Sequence, residues 1–227
     1  MDFNHFLTSY MPNPNVGSKV HFQNMIDQSI LAEKLGYKKV SIPEHHLINL
    51  LMMPSPLQMA VKIASLTKNI SISTSVAVLP LHDMRTYAGE VATADILTDG
   101  RLILGVARGA FPWEMKRLGT PIEHSKEKFT ESLEVLQKLL SEEEVSFSGK
   151  YYNFEALTIM PRPITQPIPI MIAAMDPKSI KNAALRGFHV QSTVLSGTRE
   201  LLMERVNAFR DGCEELGEKG KLLKLSM

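Results

Sequence analysis

The residues best suited to chemistry fall in three short segments, each of which follows a strand-like run. The first, Glu44-His45-His46, offers a histidine that could act as a general acid or base, or bind a metal ion. The second ends in Arg108-Gly109, where arginine can hold an anion through a forked pair of hydrogen bonds and glycine lets the backbone approach a ligand. The third, residues 174–179, has the pattern of a capped helix start, whose free amides can receive a phosphate.

Each of these segments also has a purely structural explanation. A histidine at the end of a strand often only donates to a backbone carbonyl, an arginine at a rim often only forms a surface ion pair, and a capped helix start needs no ligand. Metal binding by the first segment is disfavoured, because adjacent strand residues point to opposite sides and His45 and His46 would not share an ion. We therefore predict no metal site.

The elements that position these segments follow from the hydrophobic pattern. Strands are predicted at residues 3–8, 38–42, 70–79, 102–107, 168–173 and 189–194. Helices are predicted at residues 20–35, 57–66, 85–97, 127–140, 177–186 and 198–216. Strict alternation of strands and helices indicates a parallel sheet with right-handed crossovers.

A parallel sheet can close into a barrel or remain open and doubly wound. We favour the barrel, because no glycine-rich dinucleotide fingerprint follows the first strand. Six βα units are visible and residues 221–227 could begin a seventh strand, so we predict a TIM-like parallel (β/α) barrel, truncated after about six units. Residues 1–227 form a single domain in this interpretation, with residues 141–167 as an insertion outside the repeat.

Composition limits the class of protein. With 44% hydrophobic and 22% charged residues, the 227-residue chain has the make-up of a globular protein. A formal charge of +1 gives no basic excess to attract nucleic acid, and no apolar run is long enough to cross a membrane. The lone Cys213 and the lack of a signal-peptide pattern favour a reducing compartment, so we expect a cytoplasmic location.

Six segments of the chain, taken in order, resemble the luciferase-like family of flavin-dependent monooxygenases. They are HFLTSYMP, LAEKLGYKKVSIPEHH, ISISTSVAVLP, TDGRLILGVARG, IPIMIAAMDPKS and AALRGF. No single segment would suffice, but the ordered set runs from the first strand almost to the C-terminus. The resemblance covers about six of the eight units of a complete barrel.

The resemblance implies a bound flavin mononucleotide (FMN) and gives roles to particular residues. His45 matches the catalytic histidine, and Arg108 matches the arginine that binds the phosphate. Glu114 matches an acidic residue that supports the flavin site, and Ser179 matches a hydroxyl that contacts the phosphate. The implied cofactor-binding residues are Ser75, Val76, Arg108, Glu114, Ala174 and Ser179, with a non-prolyl cis bond between the first two.

The sequence departs from the family pattern at two places. Ala107 stands where the luciferases have a reactive cysteine, so that thiol plays no part here. Met175 and Asp176 replace the Glu-Ser pair of the luciferase phosphate turn, and a carboxylate beside a phosphate is unfavourable. We therefore expect Asp176 to turn its side chain into the helix cap.

The activity that the resemblance implies is oxygenation of a small organic substrate by reduced FMN and O2. His45 would stabilise the reacting group or give it a proton. No nicotinamide fingerprint is visible, so we expect a separate flavin reductase to supply the reduced cofactor. Three alternatives stay open: a deazaflavin-dependent oxidoreductase, a flavin-binding protein or subunit without catalysis, and, more distantly, a metal-dependent barrel hydrolase.

The end of the chain raises a separate expectation. A barrel that stops after six units would leave strand edges that invite pairing with another chain. We favour a longer polypeptide, because the ending GEKGKLLKLSM resembles an interrupted strand. The alternative is a short protein sealed by a partner, for which a homodimer is the expected assembly.

Overall fold

The structure, a computed structural model, describes residues 2–195 and 197–227. The strands are β1 Asn4–Phe6, β2 Lys39–Ile42, β3 Ser71–Thr74, β4 Ala77–Val78, β5 Leu102–Ala107, β6 Val145–Ser148, β7 Asn153–Leu157, β8 Ile170–Ala173, β9 His189–Gln191 and β10 Leu225–Ser226. The helices are α1 Ser18–Lys34, α2 Pro56–Ala64, α3 Met84–Leu97, α4 Pro112–Arg117, α5 Ile122–Ser141, α6 Pro177–Leu185 and α7 Arg199–Leu216. These elements are divided between two compact units, and only β5 contributes described residues to both.

The first unit contains the described residues up to Leu104 together with Arg108–Ile168. Its strands β1, β2, β3 and β5 pair in that order, and the pairs are parallel. Val40, Ile72 and Leu102 come from three successive strands and are fully buried. Such apolar strands are expected where a parallel sheet is covered on both faces.

The second unit contains Gly105–Ala107 and Pro169–Met227. Strands β8, β9 and β10 pair in parallel, with Ile172 opposite Val190 and Val190 opposite Leu225. Strand β10 lies in the stretch that we predicted could begin a seventh strand, and that prediction is confirmed. Ala184 of α6 is also fully buried.

Most element boundaries differ from the predicted ones by at most two residues, but α5 begins five residues earlier than predicted and β9 ends three residues earlier. Helix α4 was not predicted, because six residues are too few to show a helical period. The predicted strand at 70–79 is divided into β3 and β4. The later part, β4, still pairs with β5, while the Val78 amide donates to a side chain, the Glu44 carboxylate.

The stretch predicted as an insertion contains an antiparallel hairpin, formed by β6 and β7. This hairpin forms a two-stranded sheet of its own, and the prediction that residues 141–167 are an insertion stays a prediction. That residues 1–227 are a single domain stays a prediction. Within the described part of the chain, no helix combines the length and the apolar character that a membrane crossing requires.

Candidate active site

The centre of the site in the first unit is the carboxylate of Glu44, which lies just after β2 and is only 2% exposed. Its Oε1 atom accepts hydrogen bonds from Nε2 of His46 at 2.6 Å and from Nε2 of His82 at 2.7 Å. Its Oε2 atom accepts from the Val78 amide at 3.0 Å. Three donors therefore satisfy a carboxylate that burial would otherwise destabilise.

Electrostatics in this cluster favour a charged Glu44. Burial alone would raise the pKa of its carboxyl, but the hydrogen bonds and charges of His46 and His82 lower that pKa from 4.5 to about 2. The hydrogen bond to Glu44 raises the pKa of His46, against the opposing effect of burial. Because these are two views of one interaction, the carboxylate and the His46 ring titrate as a coupled pair.

The same three side chains bring potential metal ligands together, with the ligand atoms of Glu44, His46 and His82 within 4.8 Å of one another. The carboxylate oxygen is 2.6 and 2.7 Å from the two ring nitrogens, which are hydrogen-bond lengths. Two atoms bound to one zinc ion at about 2.0–2.1 Å would lie farther apart than this. The geometry is that of a hydrogen-bonded carboxylate, and the prediction that no metal binds here remains a prediction.

His45 points away from this cluster, as the alternation of strand residues predicts. Its ring contacts Phe111 edge-on, with 5.2 Å between ring centroids. Its Nδ1 atom lies 3.7 Å from Oε2 of Glu114 and has no hydrogen-bond partner among the described residues, although it is buried. Because a buried ring nitrogen usually has a hydrogen-bond partner, its absence among the described residues makes His45 a candidate for a functional role.

Two side chains of helix α4 bind the backbone that directly follows His45. The Glu114 carboxylate, 2% exposed, accepts a hydrogen bond from the His46 amide. Arg117, one turn further along the helix, donates to the Leu47 carbonyl at 3.2 Å. Glu114 thus holds the segment that carries His45 and lies beside the His45 ring, while its role in supporting a flavin stays a prediction.

His82 is held by residues distant in sequence. The Tyr152 hydroxyl, between β6 and β7, donates to the His82 carbonyl at 3.1 Å. A phenol has a single proton, so the Ser132 hydroxyl must be the donor in its 3.1 Å contact with Tyr152. The ring of Tyr87 also stacks on His82, with 4.3 Å between centroids. The hairpin therefore helps to place one of the two histidines that bind Glu44.

Replacing Tyr152 by phenylalanine tests this placement. The His82 carbonyl loses a buried hydrogen bond, so we expect the free energy of unfolding to fall by about 1–2 kcal/mol in urea. Tyr151→Phe is the matched control, because the Tyr151 hydroxyl bonds Glu127 on an exposed surface, and it should leave stability unchanged. Equal stability of the two variants would show that the hairpin does not hold His82.

The other residues predicted in the first unit lie at strand ends. The Ser75–Val76 peptide bond is cis, as the resemblance implied, and the Ser75 amide donates to the Ile42 carbonyl at 2.6 Å. Arg108 follows β5 and is exposed. Gly109 has a φ of +93°, and a Cβ atom there would collide with the Met115 side chain. The glycine is thus explained by close packing against the chain itself.

The remaining predicted residues lie in the second unit, around the start of α6. The Ala174 amide donates to the Gln191 carbonyl at 2.9 Å. The Asp176 carboxylate accepts from the Ser179 amide at 2.9 Å, so Asp176 caps α6 and that prediction is confirmed. Arg205 is 4% exposed and donates to the Met175 carbonyl at 2.7 Å. The turn before α6 is therefore held from α7.

Sequence reasoning missed His82, Tyr152 and Arg205. His82 had one usable signal, since it stands directly between the Leu79–Leu81 turn and Asp83, which caps α3. Tyr152 and Arg205 had none, because each acts through a contact that only the folded chain creates.

The architecture and this histidine-carboxylate site are those of a parallel α/β protein with chemistry at the strand ends. The model of the luciferase-like monooxygenase family matches residues 1–225, so the chain belongs to that family. The structure of monooxygenase RslO1 from Streptomyces bottropensis is similar to this one, with a TM-score of 0.89 and 26% sequence identity. The match covers 96% of this chain and 67% of the RslO1 chain. The predicted fold class, a TIM-like parallel (β/α) barrel, is confirmed, and the chain covers about two thirds of the RslO1 chain.

Two curated relatives show what kinds of enzyme are similar. The oxygenase component of flavin-dependent trigonelline monooxygenase from Acinetobacter baylyi is 30% identical over 86% of this chain and 54% of its own length. An F420-dependent glucose-6-phosphate dehydrogenase from Kineococcus radiotolerans is 31% identical over 85% of this chain and 59% of its own. The chain thus spans somewhat more than half of each.

Proposed function

We propose that this protein is the oxygenase of a flavin-dependent system, which uses reduced FMN and O2 to oxygenate a small organic substrate. The observation that carries the proposal is the His45 ring, whose buried Nδ1 has no hydrogen-bond partner in the described part of the chain. It lies beside the Glu44 cluster in a chain of the luciferase-like monooxygenase family. A flavin or a deazaflavin is the cofactor class that the relatives use.

The residues of the chain fit a flavin in two respects. Arg108 is exposed, and none of the described carboxylates of its own unit lies within ion-pair distance of it, so its guanidinium is available to a phosphate. The buried Nδ1 of His45 is available to a polar atom of a ligand. The fit is weaker at Ser179, because Asp176 already occupies its amide and only the exposed hydroxyl remains to bind phosphate.

Bound reduced FMN would supply the electrons that activate O2. The chain contributes a group that can give or take a proton, the His45 ring, which lies 3.7 Å from the Glu114 carboxylate. Glu44 keeps the neighbouring His46 directed away from His45. We propose Ser75, Val76 and Ala174 as backbone that lies against the flavin.

A reductase partner is part of the proposal, because the similar trigonelline enzyme is named as an oxygenase component. The purified protein should incorporate one atom from 18O2 into a product when reduced FMN is supplied chemically. Aldehydes, terpenes and sulfur compounds form the first substrate panel, and mass spectrometry measures the label. Flavin binding with no labelled product from any of them would point to a protein without oxygenase activity. A homodimer and a cytoplasmic location stay predictions.

Replacing Arg108 by alanine should weaken FMN binding, because the phosphate loses a charged hydrogen bond. We expect a loss of about 1.5–3 kcal/mol in binding free energy, measured by quenching of flavin fluorescence. Arg210→Ala removes an exposed arginine of α7 and serves as the control. Unchanged FMN affinity in Arg108→Ala would remove Arg108 from the cofactor site.

The second candidate is a deazaflavin-dependent oxidoreductase, favoured by the similarity to an F420-dependent dehydrogenase over 85% of this chain. The two functions separate on cofactor affinity. Titration of the purified protein with FMN and with F420, followed by absorbance and fluorescence, shows which one binds. Tighter binding of F420, with no oxygen consumed, would replace the proposed function by this one.

A further inference from the structure

A cleft of about 460 Å³ lies beside the His45 segment in the first unit, at a place to which no function has been given so far. Its lining residues are Leu47, Ile48, Asn49, Trp113 and Arg117. None of these lining residues is acidic, so the only formal charge on the walls is that of Arg117.

Two contacts hold the Arg117 side chain in place, and neither of them is an ion pair. Its guanidinium lies over the Trp113 ring at 5.1 Å from the centroid, and its Nη1 donates to the Leu47 carbonyl at 3.2 Å. Among the described residues of its own unit, no aspartate or glutamate lies within ion-pair distance of the Arg117 guanidinium. A guanidinium fixed by an aromatic ring and one hydrogen bond keeps further N–H groups in its plane, which is the geometry that a carboxylate accepts.

Two of the side chains beside this cation are large, apolar and exposed. Trp113 is 41% exposed and Leu47 is 60% exposed. Leu47 also has a φ of +57°, a conformation that costs energy for a residue with a branched side chain. Large apolar side chains beside an unpaired cation suit a ligand that has both an apolar body and one negative group.

The cleft is connected to the candidate catalytic histidine through a row of aromatic rings. Trp113 lies 6.2 Å from Phe111 between centroids, and Phe111 lies 5.2 Å from His45. From these contacts we infer that the cleft binds a small carboxylate with an apolar body, and that Arg117 holds the carboxylate group. That this ligand is the substrate rests on the proposed function, whereas the binding site itself rests on the contacts alone.

Trp113 is the single tryptophan of the chain, so its fluorescence reports on this cleft directly. Benzoate is the probe, and benzamide is its neutral isostere. Benzoate should quench the fluorescence saturably in the absence of any flavin, and benzamide should bind at least roughly tenfold more weakly because it offers no charge to Arg117. Equal affinities for the two compounds would overturn the inference.

Arg117→Met should weaken benzoate binding roughly tenfold or more, the factor expected when a charged hydrogen bond is lost. Lys116→Met is the matched control, because it removes the same charge from the same helix at a residue that does not line the cleft. Because Arg117 lies over the Trp113 ring, its removal can change the Trp113 fluorescence itself, so calorimetry is used as a second measurement of the dissociation constants. Wild-type affinity in Arg117→Met, with the fold verified by circular dichroism, contradicts a carboxylate site.

Turnover separates this inference from the proposed function. A carboxylate substrate should show a higher KM in Arg117→Met than in the wild-type protein, with little change in kcat. If the protein binds benzoate but oxygenates no substrate, the carboxylate site is supported and the proposed oxygenase function is refuted. Oxygenation with no charge-dependent binding would refute the cleft alone.

Discussion

Replacing His45 by alanine is expected to lower the rate of oxygenation roughly 10²–10⁴-fold, the contribution typical of a general acid or base. The ring has no hydrogen bond through Nδ1 to lose among the described residues. Its backbone amide, which bonds the Met53 carbonyl at 2.8 Å, stays in place in the variant. Stability should therefore fall only by the loss of the contact with Phe111, about 0.5–1.5 kcal/mol.

Three measurements together decide the role of His45: product formed with reduced FMN, FMN affinity, and the melting temperature. His124→Ala, at an exposed histidine of α5, controls for the loss of an imidazole elsewhere. A large drop in melting temperature with no specific loss of turnover would mean that His45 only supports the end of β2. Loss of turnover through loss of FMN binding would instead make His45 a cofactor-binding residue.

The regular part of the fold could be predicted because burial imposes a pattern on the sequence. Strand β5 was predicted with its observed bounds, Leu102–Ala107, since a nearly continuous apolar run is typical of a strand with both faces covered. Helix α1 ends before Gly36, whose φ of +83° is typical of the glycine that follows the end of a helix. Strand β9 is shorter than predicted, because the Thr193 carbonyl beyond it bonds Arg205 rather than a neighbouring strand.

The candidate site could be predicted only in part. The sequence shows that Glu44, His45 and His46 form one group, but it does not show that the two histidines have different partners. In the structure His46 turns to Glu44 while His45 turns toward Glu114 and Phe111. The sequence shows which residue types end each strand, whereas distances between strands depend on register and on the loops.

The Glu44 cluster should make stability depend on pH from both sides. The folded-state pKa of Glu44 is lowered from 4.5 to about 2, so its contribution is complete above pH 4.5 and is lost as the pH falls toward 2. The folded-state pKa of His46 is raised above 6.5, so its contribution is complete below pH 6.5 and is lost as the pH rises through that raised value. Stabilisation by the pair is therefore largest between about pH 4.5 and 6.5.

Replacing Glu44 by glutamine should remove both effects, because they come from one interaction. At about 1.4 kcal/mol per pH unit, the fall of the Glu44 pKa from 4.5 to about 2 corresponds to about 3 kcal/mol. We expect Glu44→Gln to lose about that much unfolding free energy at pH 6, measured in urea. The difference from the wild-type protein should shrink toward pH 2 and again at alkaline pH. As a control, Glu143→Gln changes an exposed glutamate and should show the wild-type dependence of unfolding free energy on pH. If the curves of the wild-type protein and of Glu44→Gln were parallel at every pH, the buried carboxylate would not stabilise the fold through its histidines.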